Sequence, residues 1–224
     1  MSHRPVVIVV AAGRGRRFAG PGHKLVQPLG ASTVLGSTLA QVLASALPLV
    51  VVTTEPLAAE AARTVARRDI VVLSPEEADR GMGHSIAAGV ASRPQASGWL
   101  VLPADMPLVT PRTLVAVAAA ISEHAIAYAQ HHGRRGHPAG FAGGLYSELV
   151  GLVGDEGARR LLGRFPSHGV DVDDAGVLFD VDTETDLDAA RALMPQRPVR
   201  RVAPEPSDGP AEHLARSTDD VLGR

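Results

Sequence analysis

The chain has 224 residues, 45% of them hydrophobic and 21% charged, with a formal net charge of −2. That length suits one sizeable α/β domain with little left over, and the near-neutral balance argues against nucleic-acid binding as a general property. With no cysteine there is neither a disulfide framework nor a thiolate metal site, and no run approaches the length of a membrane span; a cytoplasmic protein is expected.

The amino end runs directly into Val6-Val7-Ile8-Val9-Val10, a β-branched run that reads as a fully buried strand, without the apolar core and cleavage site of a signal peptide. A loop rich in Gly and Arg follows. Residues 32–46 space Val34, Leu35, Leu39, Val42 and Leu43 as on a helix, with Ser32 or Thr33 as the cap. Strands are expected at 49–53, 70–73, 98–102 and 125–129, and helices at 57–68, 85–92 and 111–124, the last with Pro111 in its first turn. Short apolar strands alternating with amphipathic helices indicate a mostly parallel sheet covered on both faces. Beyond residue 130 the pattern loosens: a strand at 139–142, helices at 146–153 and 156–165, a strand at 177–181 and a helix at 184–193 are expected. Residues 195–224 hold five prolines, five acidic and five basic side chains. Such a segment cannot offset its ordering entropy and is expected to be a disordered tail, leaving 1–194 as the folded domain.

Lys24 is the only lysine; the other 21 of the 22 basic residues are arginine. It closes the loop Ala11-Ala12-Gly13-Arg14-Gly15-Arg16-Arg17-Phe18-Ala19-Gly20-Pro21-Gly22-His23-Lys24. Lys is a compact point charge and Arg a planar fork, so the two are not interchangeable at a crowded phosphate. The loop fails the dinucleotide fingerprint, because Phe18 stands where the third glycine belongs, and fails the P-loop pattern, because His23 precedes Lys24 and Leu25 follows it. What remains is a nest of backbone N–H groups with full positive charges around it, better matched to a triphosphate than to a pyrophosphate.

Four further segments carry chemistry. Leu102-Pro103-Ala104-Asp105-Met106-Pro107 ends the fourth strand, at the sheet edge where ligands gather, and places a carboxylate suited to Mg²⁺. Arg80-Gly81-Met82-Gly83-His84-Ser85 leads into a helix, either presenting free amides to a ribose or base or forming a plain turn capped by Ser85. In Asp180-Val181-Asp182-Thr183-Glu184-Thr185-Asp186, Thr183 and Asp186 make a capping box. This leaves Asp180 and Asp182 as candidates for a second metal ligand, on one face of the expected strand. His131-His132-Gly133-Arg134-Arg135-Gly136-His137-Pro138 matches no zinc signature; it reads as a basic loop receiving an anionic second substrate, with a solvated loop as the alternative.

Taken together with Gly154-Asp155-Glu156-Gly157-Ala158-Arg159, these segments resemble the molybdenum cofactor cytidylyltransferases, related to the molybdenum cofactor guanylyltransferases and sugar-phosphate nucleotidyltransferases. The resemblance spans roughly residues 5–194. It implies a three-layer α/β/α Rossmann-like nucleotidyltransferase fold and Mg²⁺-dependent transfer of CMP from CTP to a molybdopterin-type acceptor, from which a molybdoenzyme would receive the product. In that family Ala11, Ala12, Gly13, Gly15, Arg16, Arg17 and Lys24 would hold the triphosphate. Gly83, Ser85, Pro103 and Ala104 would lie by the nucleoside, Asp105 and Asp182 would hold the metal, and His137 and Pro138 would meet the acceptor. Arg17, Lys24 and Asp105 would be catalytic. The Ala-Ala-Gly opening resembles the cytidylyl branch. Transfer of GMP from GTP, a sugar-phosphate acceptor, and a non-catalytic cofactor carrier are the competing readings.

Overall fold

The computed structural model describes residues 4–15 and 17–194. Arg16 and the expected tail at 195–224 lie outside the described residues. In chain order the elements are β1 (Val6–Ala11), β2 (Pro28–Leu29), β3 (Ser32–Thr33), α1 (Val34–Ala44), β4 (Leu49–Thr54), α2 (Glu55–Ala61) and β5 (Ile70–Leu73). Next come α3 (Pro75–Ala78), α4 (Met82–Ala91), β6 (Gly98–Pro103), α5 (Pro111–Ala120), β7 (Ile126–His131), β8 (Arg134–Ala142), α6 (Tyr146–Val150), α7 (Arg159–Arg164), β9 (Ser167–Asp171) and α8 (Glu184–Leu193).

Seven strands form one sheet in the order β5-β4-β1-β6-β8-β7-β9, while β2 and β3 form a small separate hairpin. The large sheet is parallel except for β8, which runs antiparallel to both β6 and β7. The chain moves outward from β1 through β4 to β5, then returns to place β6 on the other side of β1. The crevice beyond the carboxyl ends of β1 and β6 is therefore the topological switch point, where open α/β sheets bind ligands.

Both faces of the sheet are covered, which is why its strands read as continuous apolar runs. Val7, Val9, Val51, Leu100 and Leu102 pack with α1, α5 and α8 residues such as Leu35, Leu39, Leu114 and Leu187 on one face. Ile8, Val50, Val52, Trp99 and Val101 pack with Ile86, Val90, Leu149 and Leu161 on the other. The helix starts obey local capping chemistry. Thr33 accepts from Gly36 N, Thr110 from Thr113 N, and Thr183 from Asp186 N in the expected capping box. Among the described residues no helix is long and apolar enough to cross a membrane.

The carboxyl-terminal third departs from expectation. The apolar run at 177–181 is not a strand: residues Ala175–Leu178 form a 3₁₀ turn. Asp174 holds it there, accepting from Gly176 N at 3.0 Å and from Thr110 N and the Thr110 and Thr113 hydroxyls. The strand is instead β9, a half-exposed edge strand that pairs with β7 and carries no alternating pattern. The strand expected at 139–142 is the end of the nine-residue β8, reached through a tight turn in which His132 and Gly133 both take positive φ, the geometry that hairpin twist favours. The Ala-rich helix expected at 57–68 ends at Ala61 and passes through turns to a short 3₁₀ segment at Arg67–Asp69.

Candidate active site

A cleft of about 470 Å³ opens at the switch point. Its floor comes from the end of β1, its basic wall from the loop after β1, and its acidic wall from the loop after β6 and the turn before α8. Ala11, Ala12, Gly13, Gly15, Arg17, Lys24, Ser85, Pro103, Ala104, Asp105 and Asp182 all line it. Eleven of the residues assigned to this pocket by resemblance thus meet at one place, although they span more than 170 positions of sequence.

Local chemistry sets the loop. Gly15 takes φ +60°, and an added Cβ would crowd His23 Nε2 at 3.3 Å. His23 accepts from Leu25 N through Nδ1 at 3.2 Å, so its other nitrogen carries the proton and donates to Gly13 O at 2.9 Å. One imidazole therefore ties the glycine turn to the 3₁₀ segment Lys24–Val26 and aims the Lys24 side chain inward.

Lys24 Nζ donates to Asp105 Oδ2 and to Asp182 Oδ1, both at 2.6 Å. Arg17 Nη1 lies 2.7 Å from the second oxygen of Asp182. Asp105 Oδ1 is buried and has no partner. Asp182 reaches the cleft because Val181 N donates to Asp105 O at 2.9 Å, joining the two acidic segments through the backbone. Burial works against the Lys24 ammonium, but the charge and hydrogen bond of Asp105, then those of Asp182, outweigh it and hold its pKa above the ordinary value. Burial likewise works against the Asp182 carboxylate, yet the Lys24 hydrogen bond and charge, with Arg17, hold its pKa below the usual range. Asp180 behaves oppositely: burial, then the charges of Asp182 and Asp105, push its carboxyl up. The two neighbouring carboxylates thus shift in opposite directions, because Lys24 and Arg17 contact Asp182.

The residues suit a divalent cation. Asp105 and Asp182 face the same cleft, and one or two carboxylates, with substrate phosphates and water completing the shell, are what a divalent ion such as Mg²⁺ takes from a protein. The unpartnered Asp105 oxygen, and a protein ammonium held between Asp105 and Asp182, mark the place as one built for positive charge.

A second cleft of about 450 Å³ adjoins the first, sharing Met82 and Asp155 with it. Its base is apolar (Ile86, Val101, Phe141), and Arg135, His137 and Arg159 stand at its walls. Of the basic segment at 131–138, Arg135, Gly136 and His137 reach this cleft. His131 instead bonds Val172 O through Nδ1 at 2.9 Å, and Arg134 is exposed on the hairpin. His137 Nδ1 is buried without a partner; desolvation lowers its pKa and keeps the ring neutral, against the opposing pull of Asp105. Pro138 is buried in β8 beside this cleft rather than lining it. Arg135 is held over the Tyr128 ring at 4.2 Å.

Gly83 does not line the first cleft. Its amide donates to Gly154 O at 2.8 Å, and an added Cβ would run into the Val153 backbone. It is a packing glycine that seats α4 on the loop at 153–155. Sequence reasoning also passed over Asp79, which pairs with Arg14 across the mouth of the cleft, and Asp155, at the junction of the two clefts. Asp155 lies inside a segment that carried the resemblance, and Asp79 stands just before the glycine pair; nothing local marked either as facing the pocket.

The doubly wound sheet, with a basic glycine loop and paired aspartates at its switch point, has the α/β nucleotidyltransferase fold. The chain belongs to the MobA-like NTP transferase domain family, whose model matches residues 7–170. It is 33% identical over 201 residues to the purine catabolism protein PucB of Bacillus subtilis (strain 168), an alignment covering 84% of this chain and 96% of PucB. Rv0371c of Mycobacterium tuberculosis H37Rv superposes with a TM-score of 0.72 at 28% identity, over 86% of this chain and all of that one; a manganese complex of the same protein gives 0.70 at 28% identity, over 85% of this chain and 100% of that one. The molybdopterin-guanine dinucleotide biosynthesis protein A of Archaeoglobus fulgidus, at 19% identity with a TM-score of 0.61 over 84% of this chain and 97% of its own, shares the fold.

Proposed function

We propose that the chain transfers CMP from CTP to the terminal phosphate of a molybdopterin–molybdenum cofactor and releases pyrophosphate, with Mg²⁺ as the divalent cation. The observation that carries this reading is the position of Lys24 Nζ, 2.6 Å from both Asp105 and Asp182 at the switch point. A basic loop and an acidic pair in contact across one crevice suit a metal–triphosphate substrate. An acceptor phosphate oxygen forms a bond to the α-phosphorus as the bond to the β-phosphate bridging oxygen breaks, in line, and the electron pair leaves with pyrophosphate. The nucleophile is already an anion, so no general base is needed; the task is to bring anions together and stabilise the charge that builds on them.

In this reading the amides of Ala12, Gly13 and Gly15 cradle the phosphates, Arg16 is assigned to the triphosphate by the resemblance alone, and Arg17 and Lys24 neutralise the leaving pyrophosphate. Asp105 and Asp182 hold the cation, which supplies charge stabilisation at the α and β oxygens when bound. A manganese complex of the related Rv0371c supports a divalent cation here. Ser85, Pro103 and Ala104 border the nucleoside, and His137 in the adjoining cleft presents a neutral ring to the acceptor. Cytidine is favoured by the Ala11-Ala12-Gly13 opening, through its resemblance to the cytidylyl branch.

The test is pyrophosphate release from each of the four nucleoside triphosphates with molybdenum cofactor and Mg²⁺. CTP should be preferred, and Asp105→Ala should abolish release while leaving the fold intact. Preference for GTP would move the chain to the guanylyl branch, release only with a sugar phosphate would change the acceptor, and tight binding of both ligands with no release would make it a carrier. Near-normal turnover in Asp105→Ala would overturn the metal assignment.

A further inference from the structure

The acidic pair is not open. Asp182 has one oxygen on Lys24 and the other on Arg17, and Asp105 has one oxygen on Lys24. Only the buried Asp105 Oδ1 lacks a partner. A Mg²⁺ or Mn²⁺ ion needs its oxygen ligands at about 2.0–2.2 Å, so an ion bound to both aspartates would have to share the space Nζ now occupies. Two like charges in one half-buried crevice repel strongly. Lys24 is also flexible: a point charge on a four-carbon stem, with three donors that rotate freely, can move a few ångströms without moving its backbone. The backbone of the glycine loop, Ala12, Gly13 and Gly15, lines the same cleft, a place that suits an anion, and Arg17 stands on Asp182 beside it.

We infer that Lys24 is a stand-in cation with two positions: its ammonium, seated between Asp105 and Asp182, occupies the place a divalent ion would take, and an incoming triphosphate draws it across the cleft and frees that place. The inference rests on the assignment of Asp105 and Asp182 to the metal. Its consequence is an order of events. The free protein binds a divalent cation weakly, because the cation must expel an ammonium that has no anion to receive it. Nucleotide and metal then bind together, so a metal is not held in a geometry lacking substrate. The same ammonium offsets the mutual repulsion of Asp105 and Asp182.

Because Lys24 is the only lysine, its amine can be followed without mutation. The first experiment titrates Mn²⁺ into the nucleotide-free protein, read by the loss of free-ion signal in electron paramagnetic resonance, for wild type, Lys24→Met and Lys24→Met/Asp105→Asn. Lys24→Met should bind Mn²⁺ at least tenfold more tightly than wild type, and Asp105→Asn in that background should remove the gain. The second experiment acetylates the wild-type protein and measures the extent at Lys24 by mass spectrometry, with the amino terminus as the internal reference. Modification should be slow in the free protein and severalfold faster at Mn²⁺ concentrations that fill the site. Wild type binding Mn²⁺ as tightly as Lys24→Met, with Asp105→Asn still abolishing binding, would overturn the stand-in role and leave the metal assignment intact. Absence of any Mn²⁺ site that depends on Asp105 would overturn both. Unchanged acetylation of Lys24 on Mn²⁺ binding would overturn the exchange of positions even if Lys24→Met failed to fold.

Discussion

Replacing Lys24 by Met tests whether the centre of the cleft is held together by one buried cation. The Lys24, Asp105 and Asp182 side chains are 11%, 18% and 14% exposed, so the pair is well shielded from water. Removing one partner of a buried ion pair costs about 3–5 kcal/mol; residual exposure and the Arg17 contact to Asp182 bring the expected loss for Lys24→Met to about 2–3 kcal/mol. For a chain of this size that is a fall in Tm of roughly 4–12 °C. Asp105→Asn should cost only about 1 kcal/mol, because Lys24 keeps Asp182 and can still donate to the amide oxygen. The double variant is the decisive one. With Asp105 neutral, the carboxylates left by Lys24→Met no longer oppose each other, so Lys24→Met/Asp105→Asn should be more stable than Lys24→Met alone. Thermal unfolding of the four proteins at pH 7, followed by far-ultraviolet circular dichroism, closes the cycle. Strictly additive losses, or a Lys24→Met protein no less stable than Asp105→Asn, would show that the observed contacts do not organise the site.

The same contacts set a pH dependence. The Asp182 pKa is depressed in the fold, so its contribution is complete above the unfolded value of about 3.9 and is lost as pH falls through the folded value. The Lys24 pKa is raised, so its contribution is complete below about 10.4 and is lost as pH rises through the folded value. The stability gap between wild type and Lys24→Met should therefore be flat through neutrality and narrow on acidification below about pH 4; a constant gap down to pH 2 in acid unfolding curves would contradict it. Asp180 and Asp182 separate by substitution. Asp182→Asn should lose pyrophosphate release, whereas Asp180→Asn, which removes a carboxyl whose ionised form burial and its neighbours oppose, should keep activity and hold or raise Tm. Equal loss of activity in both would return Asp180 to the metal site. Gly81 has φ +93°, and an added Cβ would overlap the Gly154 backbone, so Gly81→Ala should cost about 3 kcal/mol or more, from left-handed strain plus the clash. Gly154→Ala, at φ +78° with nothing near its Cβ position, should cost only the ~1–2 kcal/mol of strain; equal Tm changes would show that the contact between α4 and the loop at 153–155 is not rigid.

The tertiary structure corrected the sequence reading where local pattern and contact diverge. Gly83 has the look of an amide donor to a ligand, but its N–H is taken by Gly154 O, a residue 71 positions away by number. The apolar run after Asp174 has strand composition, yet four hydrogen bonds from neighbouring groups to that carboxylate fold it into a turn. Asp180 and Asp182 are indistinguishable as letters, and they part only because Lys24 and Arg17 reach one and not the other.

The amino-acid sequence by itself determined the layers and the pocket's chemical class. Strands buried on both faces must be continuously apolar, a helix start needs its capping hydroxyl, and a single lysine ending a glycine-rich loop is legible because these are local demands met by neighbours in the chain. Only the tertiary structure decided which charges face which, where the second cleft opens and what sits between the aspartates. Those outcomes depend on distances between segments more than 80 residues apart, and electrostatic energy follows distance and burial rather than order along the chain.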